Sequence, residues 1–220
     1  MRKLAIVYII SIIVSVLGYK NSIHAEWIEG GNPLPQDFSH MVVFDSVGTF
    51  TWTVPEGVYK IKVELWGGGG GGVNVSGTYR DQSCYGGAGG YGLVYIDVTP
   101  GSVCAITVGN GGSSGEDGGN STIVCGSQAY TATGGEGAYS SGSSCYPGDG
   151  GTANTPFSLE GQGGTIFTVE DPGTTDPDRW GDQLGGSAPR GGHGYTVSDG
   201  AAQPGGGGGT GAPGMVIIWY

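Results

Sequence analysis

The chain has 220 residues, 50 of which are glycines, and a formal net charge of −11 at neutral pH. Binding to a phosphate backbone depends on Lys and Arg side chains that release counterions, so this composition argues against nucleic acid as a partner. So much glycine would suggest a disordered chain. However, 37% of the residues are apolar and fall in blocks with strand-like alternation, which indicates a folded domain.

The first 25 residues have the pattern of a secretory signal peptide. Arg2 and Lys3 precede an apolar stretch over residues 4–17, and a short polar segment ends in Ala25. The apolar stretch is shorter than a membrane span; an uncleaved membrane anchor is the alternative. Cleavage after Ala25 would remove three basic residues and change the net charge from −11 to −14. The sequence thus predicts a secreted, extracellular or cell-surface protein with no membrane insertion after cleavage.

In chain order, residues 26–40 form a lead segment, and residues 41–220 form a domain that begins with two or three strands. In FTWTV and IKVEL, apolar residues alternate with polar ones, so each strand has one dry face and one wet face. The VPEGV segment between them suits a type I turn containing Pro55 and Gly57.

More strands follow along the chain. YGLVYIDV and SVCAITVG are predicted to form a hairpin around Pro100 and Gly101, which fit the central positions of a type II turn. The last strand, GMVIIWY, is apolar on both faces, which favours a central position in a sheet. Nothing after residue 25 has helical periodicity over a helical length. The predicted fold class is therefore all-β.

The four cysteines are predicted to form two nested disulfides, because export favours disulfide formation. Cys104 and Cys125 lie in strand-like runs joined by a turn-rich segment, so a hairpin would place them opposite each other. Cys84 and Cys145 are equidistant from the same hairpin midpoint, which favours their pairing among the three connectivities. A zinc site is the weaker alternative, since the cysteines have no C-x-x-C spacing.

Short glycine tracts recur about every 10 to 25 residues, and we predict that residues 67–92 and 134–212 are excursions from the sheets. Such tracts can form the polyproline II helix, which has three residues per turn and no internal hydrogen bonds. Their N–H and C=O groups then need partners outside the tract. Without side chains, several tracts could lie side by side and bond laterally. The sequence therefore predicts a bundle of polyglycine II helices; disordered inserts are the alternative.

Three segments carry a resemblance to a known family: GTFTWTVPEGVYKIKVELWGGGGGG, YGLVYIDVTPGSVCAITVGNGG and GGGGGTGAPGMVIIWY, all within residues 44–220. They resemble the glycine-rich domain family of phage distal tail-fibre adhesins and secreted bacterial proteins, and the glycine-rich region of the anaplastic lymphoma kinase receptor. The resemblance implies a jelly-roll-like β-sandwich with an inserted layer of polyglycine II helices and tip loops that recognise a cell-surface partner. A homo-oligomer, such as the trimer common in fibre tips, is left open. The signal peptide and four cysteines depart from the phage adhesins and favour secretion over virion assembly.

The residue pattern argues against an enzyme, and no cofactor is predicted. His40 and His193 lie in no motif that pairs them with a nucleophile or gives metal-ligand spacing. The acidic segment 170–182 could hold calcium, but its spacing departs from the EF-hand pattern. A solvated acidic loop is the favoured interpretation.

Aromatic and charged side chains in the excursions are the candidate ligand-binding residues, because such residues dominate recognition surfaces. They are Tyr79, Arg80, Tyr139, Arg179, Trp180, His193 and Tyr195. Tyr85 and Tyr146, which directly follow cysteines, are expected at least equally to cap the glycine bundle. The predicted function is a non-catalytic binding or adhesion module for a cell-surface carbohydrate or protein. The alternative is a structural component of an extracellular matrix, envelope or fibre.

Overall fold

A computed structural model describes residues 38–77, 80–170, 188 and 209–220, and these residues form fourteen strands and no helix. The strands are β1 (Met41–Phe44), β2 (Gly48–Thr53), β3 (Lys60–Trp66), β4 (Val73–Ser76), β5 (Arg80–Cys84), β6 (Tyr91–Asp97), β7 (Val103–Val108), β8 (Ser121–Cys125), β9 (Gln128–Ala132), β10 (Tyr139–Ser141), β11 (Ser144–Tyr146), β12 (Phe157–Leu159), β13 (Ile166–Glu170) and β14 (Met215–Trp219). The predicted signal peptide lies outside the described residues and stays a prediction.

Nine strands form two antiparallel sheets that share one apolar core. One sheet has the order β1-β14-β3-β6-β12 and the other β2-β7-β8-β9. Alternate residues of the central strands point into the space between the sheets, because side chains in a strand alternate between its two faces. The largest buried residues there are Ile61, Val63, Leu65, Val94, Ile96, Ile106, Val108, Ile123, Val216 and Ile218. The predicted all-β fold is confirmed, and the arrangement is sandwich-like.

The turn after β6 passes from one sheet to the other. Pro100 and Gly101 occupy its central positions, Gly101 has φ 77°, and Ser102 N–H donates to the Thr99 carbonyl at 3.0 Å. These features confirm the type II turn. The predicted hairpin is wrong, since β6 pairs with β3 and β12 whereas β7 pairs with β2 and β8. Strand alternation defines an inner face but does not distinguish a paired neighbour from a facing one.

The turn between β2 and β3 also joins the two sheets. Val58 N–H donates to the Pro55 carbonyl at 3.2 Å, and Gly57, the third residue of the turn, has φ 82°. A type I turn requires a negative φ at that position, whereas a type II turn takes glycine with positive φ there. The type I prediction is therefore wrong.

The C-terminal strand β14 lies between β1 and β3, so its predicted central position is confirmed. Val216 and Ile218 are fully buried between the sheets. On the opposite face, Met215 and Ile217 pack against an apolar cluster that contains Trp66. Both faces of β14 are covered, which explains its continuous apolar run.

The two disulfides join the predicted cysteines. Cys104 and Cys125 face each other across β7 and β8, with Cα atoms 4.4 Å apart. Cys84 is bonded to Cys145, with Cα atoms 5.9 Å apart. The first bond lies within the sandwich core and the second joins two smaller sheets, so the nested pairing is confirmed.

Five strands lie outside the two sandwich sheets. β13, β5 and β4 form a three-stranded sheet in that order, and β10 and β11 form a two-stranded hairpin. Within the part of the chain that the structure describes, no helix is long and apolar enough to cross a membrane.

Candidate functional site

The glycine-rich segments connect the sandwich to the smaller sheets. Residues 67–72 run from β3 to β4, and residues 85–90 return from β5 to β6. In the same way, residues 133–138 lead from β9 to β10, and residues 147–156 lead from β11 to β12. All four segments therefore have one end at the sandwich and the other at a small hairpin. We call the hairpin end, formed by β4, β5, β10, β11 and β13, the tip.

Three more glycine-containing segments belong to the same layer, including one that the sequence did not predict as an excursion. Residues 109–120, interpreted as a turn between β7 and β8, extend away from the sheet and reverse near Gly115, which has φ 75°. We define the glycine layer as residues 67–72, 85–90, 109–120, 133–138, 147–156, 160–165 and 209–214. The hairpin of β7 and β8 is correct, but its connection is itself part of the layer.

The central segment, 67–72, bonds to its neighbours with a period of three residues. Its N–H groups donate to carbonyl oxygens at 2.8–3.2 Å. The pairs are Gly67 to Gly90, Gly70 to Gly87, Gly68 to Gly119, Gly71 to Glu116, Gly69 to Ala212 and Gly72 to Gly209. All six N–H groups thus have partners, which lie in three different segments. The predicted lateral bonding between tracts is present.

These contacts leave no space for side chains. A Cβ atom placed on Gly67, Gly70 or Gly87 would lie closer than 3.0 Å to a carbonyl oxygen of a neighbouring segment. The partners are Thr133, Glu136 and Asp149, respectively. Glycine is required here because backbone atoms occupy the volume that a side chain would need.

At the tip, a disulfide and a buried glutamine hold the two small sheets together. The bond between Cys84 and Cys145 packs in a small cluster with Ala138, and Val73 and Val75 lie against it. Next to it, Gln82 is 6% exposed. Its Oε1 accepts from Cys145 N–H at 3.2 Å, and its Nε2 donates to Thr168 Oγ1 at 3.3 Å. Both sheets of the tip therefore form one body.

The outward surface of the tip carries a pair of tyrosines. Tyr139 and Tyr146 lie directly opposite each other in β10 and β11. Their ring centroids are 5.0 Å apart with an angle of 17° between the planes, and the residues are 58% and 46% exposed. Tyr139, a predicted ligand-binding residue, is thus on the surface, and Tyr146 is exposed beside it rather than buried as a cap.

Tyr85, in contrast, is buried. It is 3% exposed at the tip end of residues 85–90, and its N–H donates to Thr165 O at 2.9 Å. Burial raises the pKa of its phenol above the ordinary value. Of the two tyrosines expected to cap the bundle, only this one is buried.

Most of the other predicted site residues lie outside the described part of the chain. Arg80 begins β5, and its backbone pairs with Glu170 of β13. Tyr79, Arg179, Trp180, His193 and Tyr195 are not among the described residues. The same holds for 171–182 of the acidic segment. In the described ranges, no three His, Cys, Asp or Glu side chains are grouped to hold a metal.

A small open cleft lies at the tip end of the central segment. Its volume is about 220 Å³, and its walls are Gly72, Val73, Asn74, Cys84, Tyr85, Ser114, Gly209 and Thr210. This volume is below the range of about 300–1,000 Å³ typical of small-molecule sites. The candidate site is therefore the exposed surface of the tip and not this cleft.

The sequence alone did not indicate that Tyr146 lies on the surface or that Gln82 bridges the two sheets of the tip. Tyr139 and Tyr146 are symmetric about Gly142 and Ser143, and Gly142 has φ 61°. Reading this symmetry as a hairpin would have paired the two rings. Gln82 has no comparable signal, because its partners come from β11 and β13, which are distant in sequence.

The sequence matches the model of a known family. A family model described as a glycine-rich domain matches residues 45–220, which include the glycine layer, the tip and every strand of the sandwich except β1. No curated protein matches the chain.

Proposed function

The chain belongs to the glycine-rich domain family, and we propose that it is an exported, non-catalytic binding module. The sandwich is the base, the glycine layer is a stiff spacer, and the tip recognises a carbohydrate or protein on a cell surface. The observation that carries the proposal is that every described glycine segment between two strands begins or ends at the sandwich, while the opposite end of the layer presents an exposed tyrosine pair.

We take the layer to be a bundle of polyglycine II helices. The three-residue period of hydrogen-bond partners along residues 67–72 supports this conformation, because a polyproline II helix has three residues per turn. Successive residues of such a helix point in directions about 120° apart, so one segment can bond to three neighbours. A spacer held by lateral hydrogen bonds would keep the tip in a fixed orientation.

The chemistry of the tip surface supports recognition. Tyrosine offers a large contact area with a polar hydroxyl and little conformational entropy to lose, and it is enriched in the residues that dominate binding energies. Tyr139 and Tyr146 are held by a hairpin that the disulfide fixes to the neighbouring sheet. An open aromatic surface of this kind suits binding to a macromolecular partner.

The disulfides and the N-terminal pattern support export. Two disulfides suit an oxidising compartment, and the first 25 residues resemble a cleavable signal peptide. In this proposal, the protein acts outside the cytosol and its partner is a surface component of another cell.

A binding screen with a tip variant tests the proposal. The oxidised protein is applied to whole cells and to a glycan array, together with the Y139A/Y146A variant. We expect the variant to lose binding, because it removes the exposed aromatic area. Tyr59, which is 65% exposed and lies before β3 at the far end of the sandwich, provides the control variant Y59A, which should bind normally.

The runner-up is a structural role in a matrix, envelope or fibre. It predicts no specific binding to cells or glycans, and it predicts that Y139A/Y146A behaves as the unmodified protein does. Unchanged binding by a correctly folded Y139A/Y146A variant would show that the tyrosine pair is not the recognition surface.

A further inference from the structure

Two segments of the glycine layer, residues 133–138 and 147–152, continue the pairing of β10 and β11 in the same register. Thr133 N–H donates to Thr152 O at 2.7 Å, and Glu136 N–H donates to Asp149 O at 2.8 Å. Three residues further, Tyr139 faces Tyr146 in the hairpin itself. Residues 133–139 and 146–152 are therefore one antiparallel pair, matched at every third residue.

The side chains at these matched positions are directed to the surface. Glu136, Asp149 and Thr152 are exposed, as are the two tyrosines, whereas Gly135, Ala138, Gly148 and Gly151 between them are buried. With a rise of about 3.1 Å per residue, successive pairs lie about 9 Å apart along the layer. The tyrosine pair is thus followed by a carboxylate pair on the same flank. We call Tyr139, Tyr146, Glu136 and Asp149 the tyrosine–carboxylate face.

The charge on this flank is not balanced by the layer itself. Glu136 and Asp149 are directly opposite each other, an arrangement that is destabilising between paired strands. Asp117 lies beside them, because its Oδ1 accepts from Gly137 N–H at 2.8 Å. The glycine layer as defined above contains five acidic residues and no Lys or Arg. Positions that violate a local rule tend to be functional or strained sites.

We propose that the tyrosine–carboxylate face is the docking surface for a basic polypeptide segment of the partner, one that presents Arg or Lys side chains along an extended chain. This inference rests on the proposed function and names the chemistry of its ligand. A guanidinium or ammonium group can lie over an exposed tyrosine ring. The next basic side chain of the segment can then bond to Glu136 and Asp149. The partner supplies positive charge opposite a layer whose own described residues include no Lys or Arg.

Binding of a labelled hexa-arginine peptide to the oxidised protein tests this inference. E136Q/D149N should weaken the peptide's affinity about tenfold, since the variant removes two exposed carboxylates that each form a modest ion pair with the peptide. D45N/E56Q is the matched control: it removes the same two charges from exposed positions on the sandwich, and affinity should change less than about twofold. Y139A/Y146A should weaken binding about threefold through loss of the cation–π contacts.

A second measurement separates docking from folding. The thermal midpoint of E136Q/D149N should be equal to or higher than that of the unmodified protein, because the variant relieves a like-charge contact. Equal weakening by E136Q/D149N and D45N/E56Q would show attraction by net charge alone and overturn the inference. So would peptide affinity that is undetectable or insensitive to E136Q/D149N. Cell binding that needs the tyrosines but survives E136Q/D149N would overturn the inference and leave the proposed function standing.

Discussion

In the sandwich, the buried volume is filled by side chains such as Val63 and Ile106, whereas in the glycine layer residues 67–72 are equally buried and have no side chains. The sandwich excludes water by apolar burial, which contributes roughly 25 cal/mol per Å². The layer excludes it by bringing backbones together until every N–H of its central segment has a carbonyl partner.

The two regions differ in the substitutions that they tolerate. An apolar core can relax around a smaller or reshaped side chain, so the loss of stability varies with the substitution. The glycine layer has no side chains that could move to make room for a new group. Its folding also has a large cost in conformational entropy, because glycine loses more freedom on folding than any other residue. The layer therefore depends on constraints at its ends, which are the sandwich and the disulfide-linked tip.

Removal of the disulfides should have the largest effect on stability. C84S/C145S is expected to lower the free energy of unfolding by about 4 kcal/mol, because the bond spans a sequence separation of 61. C104S/C125S, in the sandwich, spans 21 and should cost about 3 kcal/mol. Urea denaturation of both variants measures the two values. A larger loss from the sandwich pair would contradict the view that the layer is the region in need of a constraint.

Adding a single methyl group should distinguish the closely packed glycine layer from an ordinary loop. G70A is expected to cost about 3 kcal/mol, because the new Cβ would overlap the Glu136 carbonyl. G163A is the control, since a Cβ there meets its nearest neighbour at 3.5 Å; its change should be within about 0.5 kcal/mol. Urea midpoints compare the two, and similar values for both would mean that the close approach at Gly70 relaxes without cost.

Removal of the buried Gln82 amide at the tip should have a smaller effect on stability. Q82A removes the group that bonds to Cys145 N–H and Thr168 Oγ1, leaving a buried donor without a partner, and should cost about 2 kcal/mol. Gln128, whose Nε2 is 3.5 Å from Asp97 O at an exposed position, provides the control Q128A, with a change below about 0.5 kcal/mol. Thermal unfolding of the pair tests whether the tip is held by this bridge.

The smallest expected effect is the pH dependence of stability that arises from Tyr85. Burial raises the pKa of Tyr85 above 10.0, so the unfolded phenol ionises before the folded one. The stabilisation is fully present below about pH 10 and is lost as the pH rises through the folded pKa. Y85F should flatten this part of the profile of urea midpoint against pH. An identical alkaline decline in the variant would assign the decline to other groups.

Much of the sandwich could be predicted, because its strands carry local signals. The alternation in FTWTV and IKVEL defines inner faces, the doubly apolar run of GMVIIWY indicates a central strand, and the symmetric spacing of cysteines indicates the nested disulfides. The predicted hairpin of β6 and β7 failed because these strands lie in different sheets and face each other across the core. Pro100 and Gly101 specify a turn, but whether the turn joins neighbours in one sheet or crosses to the other depends on packing.

The candidate site was predicted less completely. Tyr139 stands out as an aromatic residue in a glycine-rich segment, but its stacking on Tyr146 and its alignment with Glu136 and Asp149 depend on the register between two segments. That register is set by hydrogen bonds between residues 133–139 and 146–152, and glycine has no side-chain pattern from which register can be inferred.

From the sequence alone, one can determine that this chain is all-β, which faces of its strands are dry, and that its glycine tracts must bond to something outside themselves. The tertiary structure decided which tract bonds to which, and so which side chains reach the surface together. The physical reason is that side chains record their surroundings in their type, whereas a backbone hydrogen bond is the same for every residue, so its partner is determined only when the whole layer is assembled.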